Sequence, residues 1–100
     1  MTDLEIKVLN MIPHGMENPV QIRTIQEQTG QSERDVKDMI DTLVKVYEYP
    51  IVGLRRRPYG YYIATTKDEL DIGLAPYRKQ IRTEQERLGK LLELRERLEV

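Results

Sequence analysis

The chain of 100 residues contains no cysteine and a single histidine. Without cysteine there are no disulfides, no thiolate catalysis and no cysteine-based zinc site, and His14 cannot build a metal site alone. No acid–base pair, activated nucleophile or phosphate-cradling loop is present, so neither an enzyme nor a cofactor is expected. No apolar run approaches the roughly 20 residues of a membrane helix, and the acidic, amphipathic start T-D-L-E-I-K is unlike a signal peptide. A soluble, cytoplasmic protein with no membrane partner is the expectation. Positive charge is not in excess either: 16 Lys and Arg face 17 Asp and Glu, for a formal net charge of -1. That balance argues against a protein that coats nucleic acid without regard to sequence.

With 39% hydrophobic and 33% charged residues, the chain has the composition of a charge-rich folded protein rather than a disordered one. Its length suits one modest core. The placement of charge is more informative than its total. Residues 1–66 hold eight basic and nine acidic residues, yet Arg55, Arg56 and Arg57 stand together.

Punctuation by turn and cap residues divides the chain. Thr2 and Glu5 form a capping box that opens a first helix, and Pro13 ends it by pushing Ile12 out of the helical region. Residues 19–21 read as short and extended. A second helix begins near Ile22 and stops at Gly30, where a left-handed conformation comes cheaply. Ser32 caps a third helix, whose residues Val36, Met39, Ile40, Leu43, Val44 and Tyr47 follow the spacing of one buried stripe. Residues 51–57 and 61–65, joined through Pro58, Tyr59 and Gly60, read as a β-hairpin. Tyr61 and Ile63 are expected on one face of it, and Tyr62 and Ala64 on the other.

Thr66 and Glu69 repeat the capping box and open the last helical region. Pro76 either starts a new helix after a short one over residues 67–73, or kinks a continuous one. Beyond it the pattern is heptad-like. Leu70, Tyr77, Glu84, Leu91 and Leu98 share one seam position, and Leu74, Ile81, Leu88 and Arg95 the other. The helix from residue 76 to residue 98 would be about 35 Å long. Its seam needs a partner.

The segment V-Q-I-R-T-I-Q-E-Q-T-G-Q-S-E-R-D-V-K-D-M-I-D-T-L resembles the helix-turn-helix core of winged-helix proteins, in which the turn reads T-G-x-S and V-x-x-x-I-x-x-L follows. R-R-R-P-Y-G-Y-Y-I-A is similar to the wing hairpin of winged-helix transcription factors, including response-regulator effector domains. The resemblance covers residues 1–66, and the appended helix makes the chain most similar to small winged-helix proteins of phages and bacterial mobile elements, and to replication terminators that dimerise through such a helix. It implies a mainly α fold with a small β-hairpin: a winged helix-turn-helix domain over residues 1–66, then a long coiled-coil-like dimerisation extension over residues 67–100. It implies binding of double-stranded DNA by a homodimer, as a transcriptional regulator or a replication or recombination accessory factor.

The residues expected on DNA follow from chemistry at those positions. Arg55, Arg56, Arg57 and Tyr59 form a cationic, aromatic tip suited to phosphates or the minor groove. Gln31, Ser32, Arg34 and Lys37 would meet the major groove, while Arg23 and Thr24 could hold a phosphate at the start of the second helix. Leu70, Leu74, Tyr77, Ile81, Leu88, Leu91 and Leu98 are the expected dimerisation residues, and no small-molecule ligand is evident. Simpler readings stand beside these. The arginines could guard an edge strand, the third helix could have a merely solvated polar face, and the last helix could fold back on its own domain. Asp35, Asp38 and Asp41 on the third helix suit a protein-interaction module, such as a phage adaptor or an inhibitor of a host protein, as the alternative to DNA binding.

Overall fold

A computed structural model describes residues 1–98. Helix α1 (Asp3–Met11) begins at the expected capping box: the Glu5 amide donates to Thr2 Oγ1 at 3.1 Å and the Thr2 amide to Glu5 Oε1 at 2.8 Å. Ile12, ahead of Pro13, is extended. The chain then runs beside the hairpin. The Ile63 amide donates to the Pro13 carbonyl and the Gly15 amide to the Ile63 carbonyl, both at 2.8 Å, while Val20 and Tyr61 exchange two bonds of 2.9 and 2.7 Å.

Helix α2 (Ile22–Thr29) stops at Gly30, whose φ of 69° is left-handed. Helix α3 (Glu33–Lys45) starts at Ser32, whose hydroxyl accepts from the Asp35 amide at 3.1 Å. The α3 stripe is shorter than its spacing suggests. Val36, Ile40 and Leu43 are buried, but Val44 and Tyr47 are each 37% exposed. Tyr47 lies beyond the end of α3, just ahead of Glu48 at φ 62°.

Strands β1 (Ile51–Leu54) and β2 (Gly60–Ile63) pair antiparallel, Ile51 opposite Ile63 and Leu54 opposite Gly60. Both are shorter than expected from the sequence, so Arg55, Arg56 and Arg57 lie in the connecting loop rather than on a strand. Gly60 closes that loop with φ 138°, and a Cβ there would run into the Val20 carbonyl. The expected alternation holds. Ile51 and Ile63 join Val8, Ile12, Ile25, Val36, Ile40 and Leu43 in the main core, with Tyr61 packed against it, while Val52, Leu54 and Tyr62 form a second cluster on the opposite face. Burying each of these aliphatic side chains contributes on the order of 2 kcal/mol.

Helix α4 (Lys67–Leu98) covers the second cluster, and it is continuous through Pro76. Thr66 Oγ1 accepts from the Glu69 amide at 3.1 Å, as a capping box requires. The Glu69 carboxylate, expected at the Thr66 amide, is held mainly by other donors. It accepts from the Met16 amide at 2.9 Å and from the amide and hydroxyl of Thr65 at 2.8 and 2.6 Å. The Tyr62 hydroxyl donates to the Glu69 carbonyl at 2.6 Å. Leu70 packs on Val52, Leu54 and Tyr62, and Leu74 is half-buried, so these two are engaged within the chain rather than standing at the head of a free seam. A boundary after residue 66 therefore separates parts that pack together, and the body extends through the first turns of α4.

From Tyr77 to Leu98 every residue of α4 is exposed. The helix gives the molecule its longest dimension, 57 Å against 29 and 25 Å. The architecture is mainly α with a small hairpin: a helix-turn-helix with a β wing, followed by a long projecting helix. Among the described residues no helix is long and apolar enough to cross a membrane.

Candidate functional site

The structure gathers several of the expected residues around Tyr61. This side chain sits at the start of β2 on the helix side of the hairpin, half-buried. Burial pushes its phenol above the ordinary range, and the groups that it senses are Lys37 and Glu33 of α3, Tyr77 of α4 and Arg55 of the wing loop. Lys37 of α3, Arg55 of the wing loop and Tyr77 of α4 line one concavity with this phenol.

Two adjoining concavities share Arg55, Tyr61 and Tyr77. The first, of about 360 Å³, runs from Gln21 and Arg23 at the start of α2 to Tyr59 on the wing, over Gly53 and Gly60. The second, of about 670 Å³, lies between α3 and α4, with Lys37, Asp41 and Val44 on one wall and Leu70 and Leu74 on the other. The Arg55 guanidinium lies over the Tyr77 ring, 5.5 Å from its centroid. A cation–π contact at an exposed site contributes about 0.5–1 kcal/mol, enough to bias the arginine's direction without withdrawing its hydrogen-bond donors.

The cations differ in their partners. On α2 and α3, Arg23 pairs with Glu27 at 3.4 Å, Lys37 with Glu33 at 3.3 Å and Lys45 with Asp41 at 2.9 Å, each within one helical turn. Helix α3 carries four carboxylates against three cations. The wing is different. Arg55, Arg56 and Arg57 are exposed, and among the described residues none of them has a carboxylate partner. Arg56 and Arg55 flank a further concavity with Lys79 of α4, and Arg57 flanks one with Gln21 and Tyr59.

Of the residues read from the sequence, Arg23, Lys37, Arg55 and Tyr59 converge here. Gln31, Ser32 and Arg34 lie at the start of α3 outside both concavities; the Ser32 hydroxyl serves the helix cap, Gln31 is half-buried and Arg34 is exposed. Thr24 is also outside; its amide donates to the Gln21 carbonyl at 3.0 Å and its side chain is exposed. Sequence reasoning missed Tyr61 and Lys79 as neighbours of the arginines, and assigned Tyr77 to the seam alone. Heptad spacing gives no sign that residue 77 meets residue 55. Comparison with protein-family models, with curated proteins and with solved structures yields no match for this chain.

Proposed function

We propose that the protein binds double-stranded DNA as a homodimer, gripping the backbone or minor groove with its wing and selecting sequence with the start of α3. The observation that carries this reading is the contrast in charge pairing. Arg23 of α2 and Lys37 and Lys45 of α3 pair with carboxylates one turn away, whereas the three adjacent arginines of the wing loop are exposed and have no carboxylate partner among the described residues, Arg55 lying over the Tyr77 ring. Unpaired, exposed arginines suit phosphates and a narrow minor groove, where negative potential is concentrated. Tyr59, 51% exposed beside them, adds an aromatic surface.

The second half of the proposal is the homodimer. Ile81, Leu88, Leu91 and Leu98 are all more than half exposed on a helix that leaves the body. A helix seam of that kind is covered by another helix when two chains associate. The resemblance of residues 1–66 to winged-helix regulators agrees with the DNA half of this reading, and the similarity of the appended helix to one through which replication terminators dimerise agrees with the other.

Fluorescence anisotropy with labelled duplexes of random and genomic sequence tests the DNA half. Binding is expected at low salt and should weaken steeply as salt rises. The absence of any shift at low salt would favour the other reading, a winged-helix module that binds a protein, for which the acidic outer face of α3 is the supporting feature.

A further inference from the structure

The exposed part of the α4 seam contains six positions, Ile81, Glu84, Leu88, Leu91, Arg95 and Leu98. Four are apolar and two carry opposite charges, and this arrangement restricts how a second copy can lie against it. In a parallel, in-register pair each residue faces its own counterpart. Glu84 would then meet Glu84 of the partner subunit, and Arg95 would meet Arg95 of the partner subunit. Two of six layers would be like-charged, which is strongly unfavourable in a desolvated seam.

An antiparallel pair with its two-fold axis between Gly89 and Lys90 behaves differently. Ile81 faces Leu98 of the partner subunit, Leu88 faces Leu91 of the partner subunit, and Glu84 faces Arg95 of the partner subunit, each contact occurring twice. All six layers are matched. Sliding the partner by one heptad either way sets a charge of each helix against an apolar residue and removes both ion pairs. The match also lies beyond the part of α4 that packs on its own body: Leu70 packs in the second core cluster, Leu74 is half-buried and Tyr77 lies against Arg55, all outside residues 81–98.

We infer that the occupant of the α4 seam is the α4 of a second copy, antiparallel, in the register that pairs Glu84 with Arg95 across the two-fold axis. This rests on the homodimer half of the proposed function and goes beyond it by fixing orientation and register. It places the two bodies at opposite ends of the helical pair. The Tyr77 residues of the two copies are then separated along the axis by about 38 Å at 1.5 Å per residue. That is on the order of the 34–36 Å between half-sites one turn apart on duplex DNA.

The cysteine-free chain allows a direct test with single-cysteine variants Ile81→Cys and Leu98→Cys, both at exposed positions. Oxidation of an equimolar mixture is expected to give the mixed covalent dimer, while either variant alone stays uncrosslinked, because like positions lie about 26 Å apart along the axis. Sedimentation of the unaltered full chain is measured alongside. If the chain is a dimer but each variant crosslinks to itself, or no mixed product forms, the antiparallel register falls and the homodimer stands. If the full chain is a monomer at about 100 µM, above the Kd of any stable pair, both fall. A charge exchange gives an independent reading. Glu84→Arg and Arg95→Glu should each weaken association about tenfold or more, and the two together should restore it. A double variant as weak as the singles overturns the register.

Discussion

Gly73 of α4 lies directly against Val52 of β1, so that a Cβ at position 73 would overlap the valine side chain and come within 3.1 Å of the Tyr62 hydroxyl. This close approach docks the last helix on the hairpin and, four residues later, brings Tyr77 to Arg55. Gly73→Ala is therefore expected to destabilise the protein by about 1–3 kcal/mol through overpacking, in spite of alanine's better helix propensity. Gly89→Ala supplies the contrast. Nothing lies within 4 Å of a Cβ there, so the same exchange should stabilise α4 by up to about 1 kcal/mol. Denaturant melts of the two variants, read at matched protein concentration, check both signs.

Glu69 gives a pH-dependent prediction. Hydrogen bonds from the hydroxyl and amide of Thr65 and from the Met16 amide hold its carboxyl below the usual carboxylate range. A carboxyl whose pKa is lowered by folding contributes stability that is fully present above its unfolded value and is lost as pH falls through its folded value. Glu69→Gln, which leaves one oxygen for donors that now use two, should be less stable than the parent at pH 7. The gap should narrow as pH falls below the ordinary glutamate range. Urea titrations of both proteins between neutral and acid pH test this, and a gap constant across that range would show that the carboxylate is not the anchor.

The wing arginines should register in the salt dependence of duplex binding. Replacing Arg55, Arg56 and Arg57 together by Ala is expected to make the slope of log K against log salt shallower by about 2–3, close to 0.9 for each phosphate that is no longer neutralised. Lys45→Ala should leave that slope nearly unchanged, because its charge is paired with Asp41 at 2.9 Å. Equal effects from both variants would remove the wing from the interface.

Tyr77 separates the site from the seam. It is 48% exposed and lies under Arg55, outside the overlap of residues 81–98. Tyr77→Ala is expected to reduce duplex affinity a few-fold while leaving the sedimentation coefficient unchanged. Leu88→Asp should do the opposite in solution, dissociating the dimer without lowering the melting temperature of the body, since position 88 contacts nothing in its own core.

Much of the fold is readable from local spacing. Thr2, Ser32 and Thr66 each name a helix start through a bond three residues long, and Gly30 names a helix end through a left-handed φ. The alternation of Tyr61, Tyr62 and Ile63 assigns the two faces of the hairpin, because successive strand residues must point oppositely. These signals are legible since cause and effect lie within one turn or one rung. Spacing was less informative where it depended on a distant neighbour, as at Val44 and Tyr47, whose place in the stripe the sequence allows but the packing does not fill.

What the sequence alone determined is therefore the order of elements, their caps and the charged, heptad-patterned helix at the end. Only the tertiary structure decided that α4 runs unbroken through Pro76, that Glu69 also clamps Met16, and that Arg23, Lys37, Arg55 and Tyr77 gather around Tyr61. The physical reason is the range of the interactions. Caps and turns are fixed by bonds among near neighbours, whereas the site exists because α4 docks on β1 through Gly73 and Val52, a contact that no residue's immediate surroundings encode.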